Sequence, residues 1–272
     1  MLSNPESENL TFSTPDLHQV TQELDSVLVF MAEKRLTSSD LQQATQQLES
    51  VKLVEELEEK SVPIGISRLG NLQTLICQQL MGFGLPSEIW EMSELRHLRC
   101  NELEEIPCDF GDITTLQEIY IWECGASVVA SALQIQKVQQ EEYDNYDLKV
   151  SFLTTLCALP NLEVLKIRDC AEEEEWEMTE GDEFRSLQFL RLCSSKIVRW
   201  RANETNLPKL WELYVIRCNE LEEIPCDIGD IPTLQTILLR ECGSSVLASA
   251  QEIQKVQQEE YGNYDLKVLI RD

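Results

Sequence analysis

Four stretches of the chain carry one spacing of apolar positions: LPNLEVLKIRDC (159–170), LPKLWELYVIRC (207–218), IPTLQTILLREC (231–242) and ITTLQEIYIWEC (113–124). Each reads L-x-x-L-x-x-L-x-L-x-x-C, with Ile or Val replacing Leu in places. GNLQTLIC (70–77) and FRSLQFLRLC (184–193) follow it more loosely. The second apolar position falls at Leu72, Leu95, Leu116, Leu162, Leu187, Leu210 and Leu234, and most steps between them are 21 to 25 residues. The one 46-residue step holds a degenerate unit around YDLKVSF (146–152). In L-x-L two apolar side chains point to one face of a short strand and the residue between them to the other.

This is the leucine-rich-repeat pattern. A single unit cannot bury its apolar face, so successive units stack into a solenoid whose strands form a curved parallel sheet. The expected fold class is α/β: a leucine-rich-repeat solenoid with an irregular or helical convex side, over residues 62–272 in about eight units, preceded by a helical segment over 1–61. The Cys that closes each unit sits where a small residue turns the chain out of the strand. Cys124, Cys170, Cys218 and Cys242 are therefore expected as core-and-turn residues.

Residues 13–60 carry a different period. Ser13 or Thr14 caps a helix with Pro15 in its first turn, and Leu17, Val20, Leu24 and Leu28 follow at helical spacing. A second cap at Thr37–Asp40 leads into LQQATQQLESVKLVEELEEK (41–60). Two helices are expected, either as a cap over the first repeat or as a coiled-coil or partner-binding hairpin. The apolar spacing is not sustained over several heptads, which favours the cap.

One sentence of the sequence occurs twice. RCNELEEIPCDFGDITTLQEI (99–119) returns as RCNELEEIPCDIGDIPTLQTI (217–237), 118 residues later, or about five repeat lengths. Over 99–150 and 217–268 only 11 of 52 positions differ, and three of these are Glu118/Thr236, Tyr120/Leu238 and Trp122/Arg240. Those are all three outward positions of one strand: the core wording is kept and the concave wording replaced. At the seam, LRHLRCNEL (95–103), alignment on Cys100 buries His97. Alignment on the preceding linker buries Leu98 and makes the repeat short. Burying an unpaired His costs more, so the second register is expected. At the other end YGNYDLKVLIRD (261–272) stops midway through a repeat, so a truncated last strand with uncovered apolar side chains is expected.

Net charge changes the picture in one respect. With 49 acidic and 22 basic residues the chain carries −27, which argues against nucleic acid as a partner. The N-terminus lacks the pattern of a secretory signal and no run is apolar enough to span a membrane. The ten cysteines stand singly, without C-x-x-C pairs, which favours reduced thiols over a disulfide framework.

VPIGISRLGNLQTLI (62–76), LPSEIWEMSELRHL (85–98), LPNLEVLKIRDCAEEEEWE (159–177) and LEEIPCDIGDIPTLQTILLRECGSSVLASAQEIQ (221–254) together resemble the C-terminal repeat region of plant intracellular immune receptors. The similarity is to the coiled-coil nucleotide-binding leucine-rich-repeat receptors of the nightshade family, of the late-blight-resistance type. It rests on the I-P-x-x-I-G-x-I-x-x-L linker and on an acidic tract before a tryptophan. The resemblance implies a cytoplasmic protein, free or peripheral to a membrane. Its repeats would bind a pathogen effector, a guarded host protein or the nucleotide-binding domain of a related receptor. No G-x-x-x-x-G-K-[ST] loop occurs, so ATP or ADP is not expected as a cofactor of this chain.

Candidate site residues follow from strand parity. Lys166, Arg168, Arg191 and Arg240 are expected as a positive stripe on the concave face, interleaved with Tyr120, Trp122, Phe189 and Tyr214, residue types common in binding hot spots. Leu238 joins them as a contact residue, and Ile216 is another outward position. The alternative is an exposed strand face with salt-bridged arginines. The acidic tract AEEEEWEMTEGDEF (171–184) is expected as a solvated loop and lacks the order of a calcium loop. His18 and His97 are the only histidines and neither lies in a nucleophile motif, so no catalysis and no metal are expected. The function that follows is a protein-interaction module of disease-resistance type. The alternatives are a recombined receptor fragment without its own ligand, or an ectodomain, which would carry disulfides.

Overall fold

The computed structural model describes residues 50–54, 70–78, 89, 91–101, 114–122, 153, 156–169 and 174–271. The chain divides into two compact units, Met1–Leu48 and Glu49–Asp272. The first, with most of the expected helical segment, lies outside the described residues.

Nine described strands form one sheet, and every neighbouring pair is parallel. They are β1 (Ser50–Val54), β2 (Thr74–Gln78), β3 (His97–Asn101), β4 (Glu118–Trp122), β5 (Val164–Arg168), β7 (Phe189–Cys193), β9 (Glu212–Ile216), β10 (Thr236–Arg240) and β11 (Lys267–Arg271). A second sheet pairs β6 (Glu175–Glu177) with β8 (Arg199–Arg201). All seven leucines of the second apolar position are buried, between 0% and 4% exposed. The inward residues of each L-x-L, such as Leu165 and Ile167 or Leu213 and Val215, are buried with them.

Two backbone ladders hold the strands in register. At the N-terminal rim the carbonyl before each strand accepts two N–H groups of the next unit: Gln73 from Arg96 and His97, Arg96 from Gln117 and Glu118, Gln188 from Trp211 and Glu212. At the C-terminal rim the residue after the strand has positive φ: Asp169 (51°), Ser194 (50°), Arg217 (53°) and Glu241 (51°). Left-handed backbone costs a non-glycine residue about 1–2 kcal/mol. It persists because it aims each N–H at the neighbouring strand, Asp169 to Cys193, Ser194 to Ile216 and Arg217 to Arg240, at 2.8–2.9 Å.

Of the closing cysteines, Cys218 is buried and Cys242 only partly so. Cys218 Sγ–H faces the carbonyls of Leu192 and Ile216 at 3.8 and 3.5 Å, and Cys242 those of Val215 and Arg240 at 3.3 and 3.4 Å. Burial pushes the Cys218 thiol up to about 12. Cys124 and Cys170 lie outside the described residues.

Four features differ from the sequence expectation or refine it. Ser50–Val54 is a strand paired in parallel with β2, not part of a helix, so the sheet begins before residue 62. S-V-K-L-V alternates with period two, and the register sets Val51 opposite Leu75 and Leu53 opposite Cys77. The glutamines and glutamates on either side carry a helical signal that masks this short alternation.

At the seam the short repeat is the one adopted. Leu98 and Cys100 are buried, while His97 and Arg99 take outward positions. The words R-C-N therefore play two roles. Arg217 and Cys218 form the turn after β9, whereas their copies Arg99 and Cys100 lie inside β3.

β4 and β5 pair directly, Ile119 opposite Leu165 and Ile121 opposite Ile167, and the degenerate unit expected around 146–152 lies outside the described residues. In the second copy the matching words KVLIR form β11 on β10. The unit around β5 brings Leu159, Leu162, Leu165 and Ile167 into the core, whereas β11 brings Leu266 and leaves Leu269 and Ile270 at 39% and 42% exposure.

The acidic tract is not simply a solvated loop. Glu175 and Glu177 pair with Arg199 and Arg201 across the small sheet. Between them Trp176 and Trp200 are buried and stacked, 5.0 Å apart at 2°.

On the far side of the last units, α1 (Ser244–Glu259) buries Val246, Ala250, Ile253 and Gln257. It closes against the short 3-10 turn Cys226–Asp230, where a Cβ on Gly229 would lie 2.8 Å from Ile253 Cγ2. The β-branched Ile253 has few rotamers to escape into. Gly229→Ala is expected to destabilise the fold by about 1–3 kcal/mol through overpacking, read as a lower urea midpoint at unchanged slope.

Thiol reactivity gives a second check. Only thiolate reacts, and a thiol with a pKa of about 12 is roughly 0.01% thiolate at pH 8. In native protein Cys218 is expected to stay unmodified by iodoacetamide at pH 8 while exposed Cys226 is labelled, and both label in urea. Peptide mass mapping reads the difference.

Candidate binding face

Because all the strands are parallel and in register, the outward residues line up in three rows across the sheet. The first runs through Thr74, His97, Glu118, Val164, Phe189, Glu212, Thr236 and Lys267. The second runs through Ile76, Arg99, Tyr120, Lys166, Arg191, Tyr214, Leu238 and Leu269. The third brings Trp122, Arg168, Cys193, Ile216, Arg240 and Arg271 together. All nine residues singled out from the sequence stand on these rows, though not all are exposed.

Contacts between rows fix the aromatic and cationic side chains. The Arg168 guanidinium lies 4.3 Å from the Trp122 ring centre. Asp169 joins the two, its Oδ2 accepting from Trp122 Nε1–H at 3.1 Å and from Arg168 Nε–H at 3.0 Å. Lys166 pairs with Glu118 at 2.5 Å and faces the Phe189 ring at 5.7 Å. Phe189 meets Tyr214 edge to face, with centroids 4.9 Å apart. Burial, then a hydrogen bond with Glu212, raises the Tyr214 phenol, while Arg271 and Arg191 act in the opposite sense. Both cations therefore stand within electrostatic reach of that ring. Arg217 and Arg240 share Glu241, and the Arg217 hydrogen bond leads in holding that carboxyl below its usual range. Among the described residues Arg191 has no ion-pair partner.

Leu238 and Ile216, read from parity as outward contact positions, are only 6% and 7% exposed. With Cys193 they form a small apolar cluster against which Tyr214 packs. Parity sets the side of the sheet, but neighbouring rows decide exposure. Leu238 therefore supports Tyr214 and offers little surface itself.

Sequence reasoning missed His97 and Arg99. They stand beside Thr74, Ile76, Glu118 and Tyr120 around an open hollow of about 170 Å³. The His97 ring nitrogen Nδ1 lies 3.2 Å from Thr74 Oγ1, and the Arg99 guanidinium is 4.9 Å from the Tyr120 ring centre. The short-repeat register, which was legible, contained the signal: once Leu98 is inward, its neighbours face out. Trp211, 48% exposed at the rim before β9, was missed because no strand parity applies there.

Parallel strands stacked one per repeat on a buried leucine ladder are the architecture of a leucine-rich-repeat protein, and the chain belongs to that family. The family model described as a leucine-rich repeat region matches residues 27–262. Its curated relatives are disease-resistance proteins of Solanum demissum. The putative late blight resistance protein homolog R1B-16 is 28% identical over 80% of this chain and 22% of its own length. The homolog R1B-23 is 27% identical over 79% of the chain and 22% of its own length. The late blight resistance protein R1-A is 26% identical over 79% and 21%. The repeat region is thus of the disease-resistance type, and the chain spans about a fifth of the length of these relatives. Among solved structures, the leucine-rich-repeat protein LIC12759 of Leptospira interrogans is 19% identical, with a TM-score of 0.48 over 86% of this chain and 57% of that one. No helix among the described residues is long and apolar enough to cross a membrane.

The Asp169 bridge yields a test. Asp169→Gly and Asp169→Ala both remove the carboxylate, but only alanine keeps a Cβ at φ 51°. The alanine variant is expected to be the less stable by about 1 kcal/mol in equilibrium urea unfolding. Equal stabilities would show that the turn relaxes freely.

Proposed function

We propose that this repeat region is the recognition surface of a disease-resistance-type protein, and that its concave face binds a pathogen effector or a guarded host protein. The observation that carries the reading is the ordered set of cations and aromatics on one face: Trp122, Arg168, Lys166, Phe189 and Tyr214, each held by a neighbour, with Arg191 beside Tyr214 in the same row, all of them partly accessible. Side chains already immobilised lose little further entropy on binding, which favours affinity. Tyr, Trp and Arg are the types that dominate binding hot spots. The duplication supports the same reading, since the outward triplet of β4 differs at every position from its copy in β10 while the surrounding wording is retained.

A two-hybrid screen of effector and host libraries, run in parallel with wild type and with the Arg191→Ala/Tyr214→Ala double variant, tests this. Partners that bind wild type should be lost or weakened at least tenfold by the double variant. The variant should keep its circular dichroism and, for surface changes, lose little stability, about 1 kcal/mol at most. Partners indifferent to the concave substitutions would place recognition elsewhere.

A further inference from the structure

Charge is distributed very unevenly over this chain. The strands β2–β5, β7 and β9–β11 offer 24 outward positions, three on each. Seven hold basic residues and only Glu118 and Glu212 are acidic. A chain with 22 basic and 49 acidic residues in 272 would place roughly two and four there at random. The face is net positive on a molecule of charge −27, so the rest of the surface is more acidic still.

We propose that the concave face docks an extended acidic polypeptide segment whose carboxylates recur about every fourth residue, an inference that rests on the reading of this face as the interaction surface. Two cations set the spacing. Arg99 lies on β3 and Arg191 on β7, three strand steps apart in the same row. At roughly 4.8 Å per step that is about 14 Å, which an extended chain covers in about four residues. Arg99 borders the open hollow, where a carboxylate can reach it from solvent. Arg191 has no anionic partner among the described residues and stands beside Tyr214. Between them Lys166 is already paired with Glu118, so the middle of the segment meets Tyr120 and a neutralised ion pair. Beyond Arg191 the edge-to-face pair Phe189 and Tyr214 presents an apolar step for one aromatic or aliphatic side chain.

A long polyanion fits less well. Nucleic acid carries charge at every phosphate and extends past the face into acidic surroundings that repel it. A short segment with two carboxylates meets Arg99 and Arg191 and stops.

The test is selection of linear nine-residue peptides, displayed on phage, against the purified full chain in reducing buffer. The expected peptides carry Asp or Glu at i and i+4 with an apolar residue beyond. Their affinity should fall at least tenfold when both acidic residues are changed to amides in the peptide, a comparison that needs no variant protein. It should also fall about tenfold with Arg191→Glu or Arg99→Glu, and weaken as salt rises. Neutral or basic peptides that are lost on Tyr214→Ala would overturn the acidic partner while keeping the face as the binding surface. Peptides indifferent to every concave substitution would overturn both. Competition by oligothymidylate at equal affinity would overturn the acidic-polypeptide assignment in favour of a general polyanion site.

Discussion

A five-residue strand with two inward side chains has no fold of its own. What gives each strand a place is the next one: Leu72 under Leu95 under Leu116, and so on along the sheet, with each leucine completing the burial of its neighbour. Stacking of identical apolar contacts is the constraint from which the remaining structure follows. It forces the strands parallel and in register, and register turns alternate residues into rows. The rows bring side chains from distant parts of the chain, Glu118 and Lys166 or Trp122 and Arg168, within hydrogen-bonding or ring-contact distance. The face is thus a by-product of the core's regularity, with chemistry added at positions the core leaves free.

That division explains what could be read from the sequence. The leucine ladder was legible because burial selects residue type at every unit, and the cost of burying His97 was enough to settle the seam. The candidate site was legible in outline, because parity placed Tyr120, Trp122, Lys166, Arg168, Phe189, Arg191 and Tyr214 on one side. Exposure was not, because it depends on neighbouring rows: Leu238 and Ile216 disappear beneath Tyr214. The strands β1, β6 and β8 were missed because they stand outside the leucine spacing, and three to five residues give too few alternations to be read alone; around β1 and β6 a glutamate-rich background adds to this. The left-handed turns at Asp169, Ser194, Arg217 and Glu241 were also hidden, because no glycine marks them.

The seam shows how loosely wording and role are tied here. Arg217 is a turn residue that grips Glu241, and its copy Arg99 faces the hollow beside Tyr120. The backbone ladders accept either, since they use only N–H and carbonyl groups. A shift of three residues at one junction therefore moved a cation from the rim onto the concave face without changing any residue of the copied text.

The stacked indoles of Trp176 and Trp200 have a consequence of an optical kind. Chromophores stacked within 2° of parallel and 5.0 Å apart are close enough to couple their excitations, so the pair absorbs differently from two separate indoles. The two rings come from strands 24 residues apart, and each arrives only when β6 and β8 are paired. The protein thereby carries an unlabelled gauge of stacking between two adjacent repeats, placed where the acidic tract forms its small sheet. Assembly of the solenoid at that point is written into its ultraviolet spectrum.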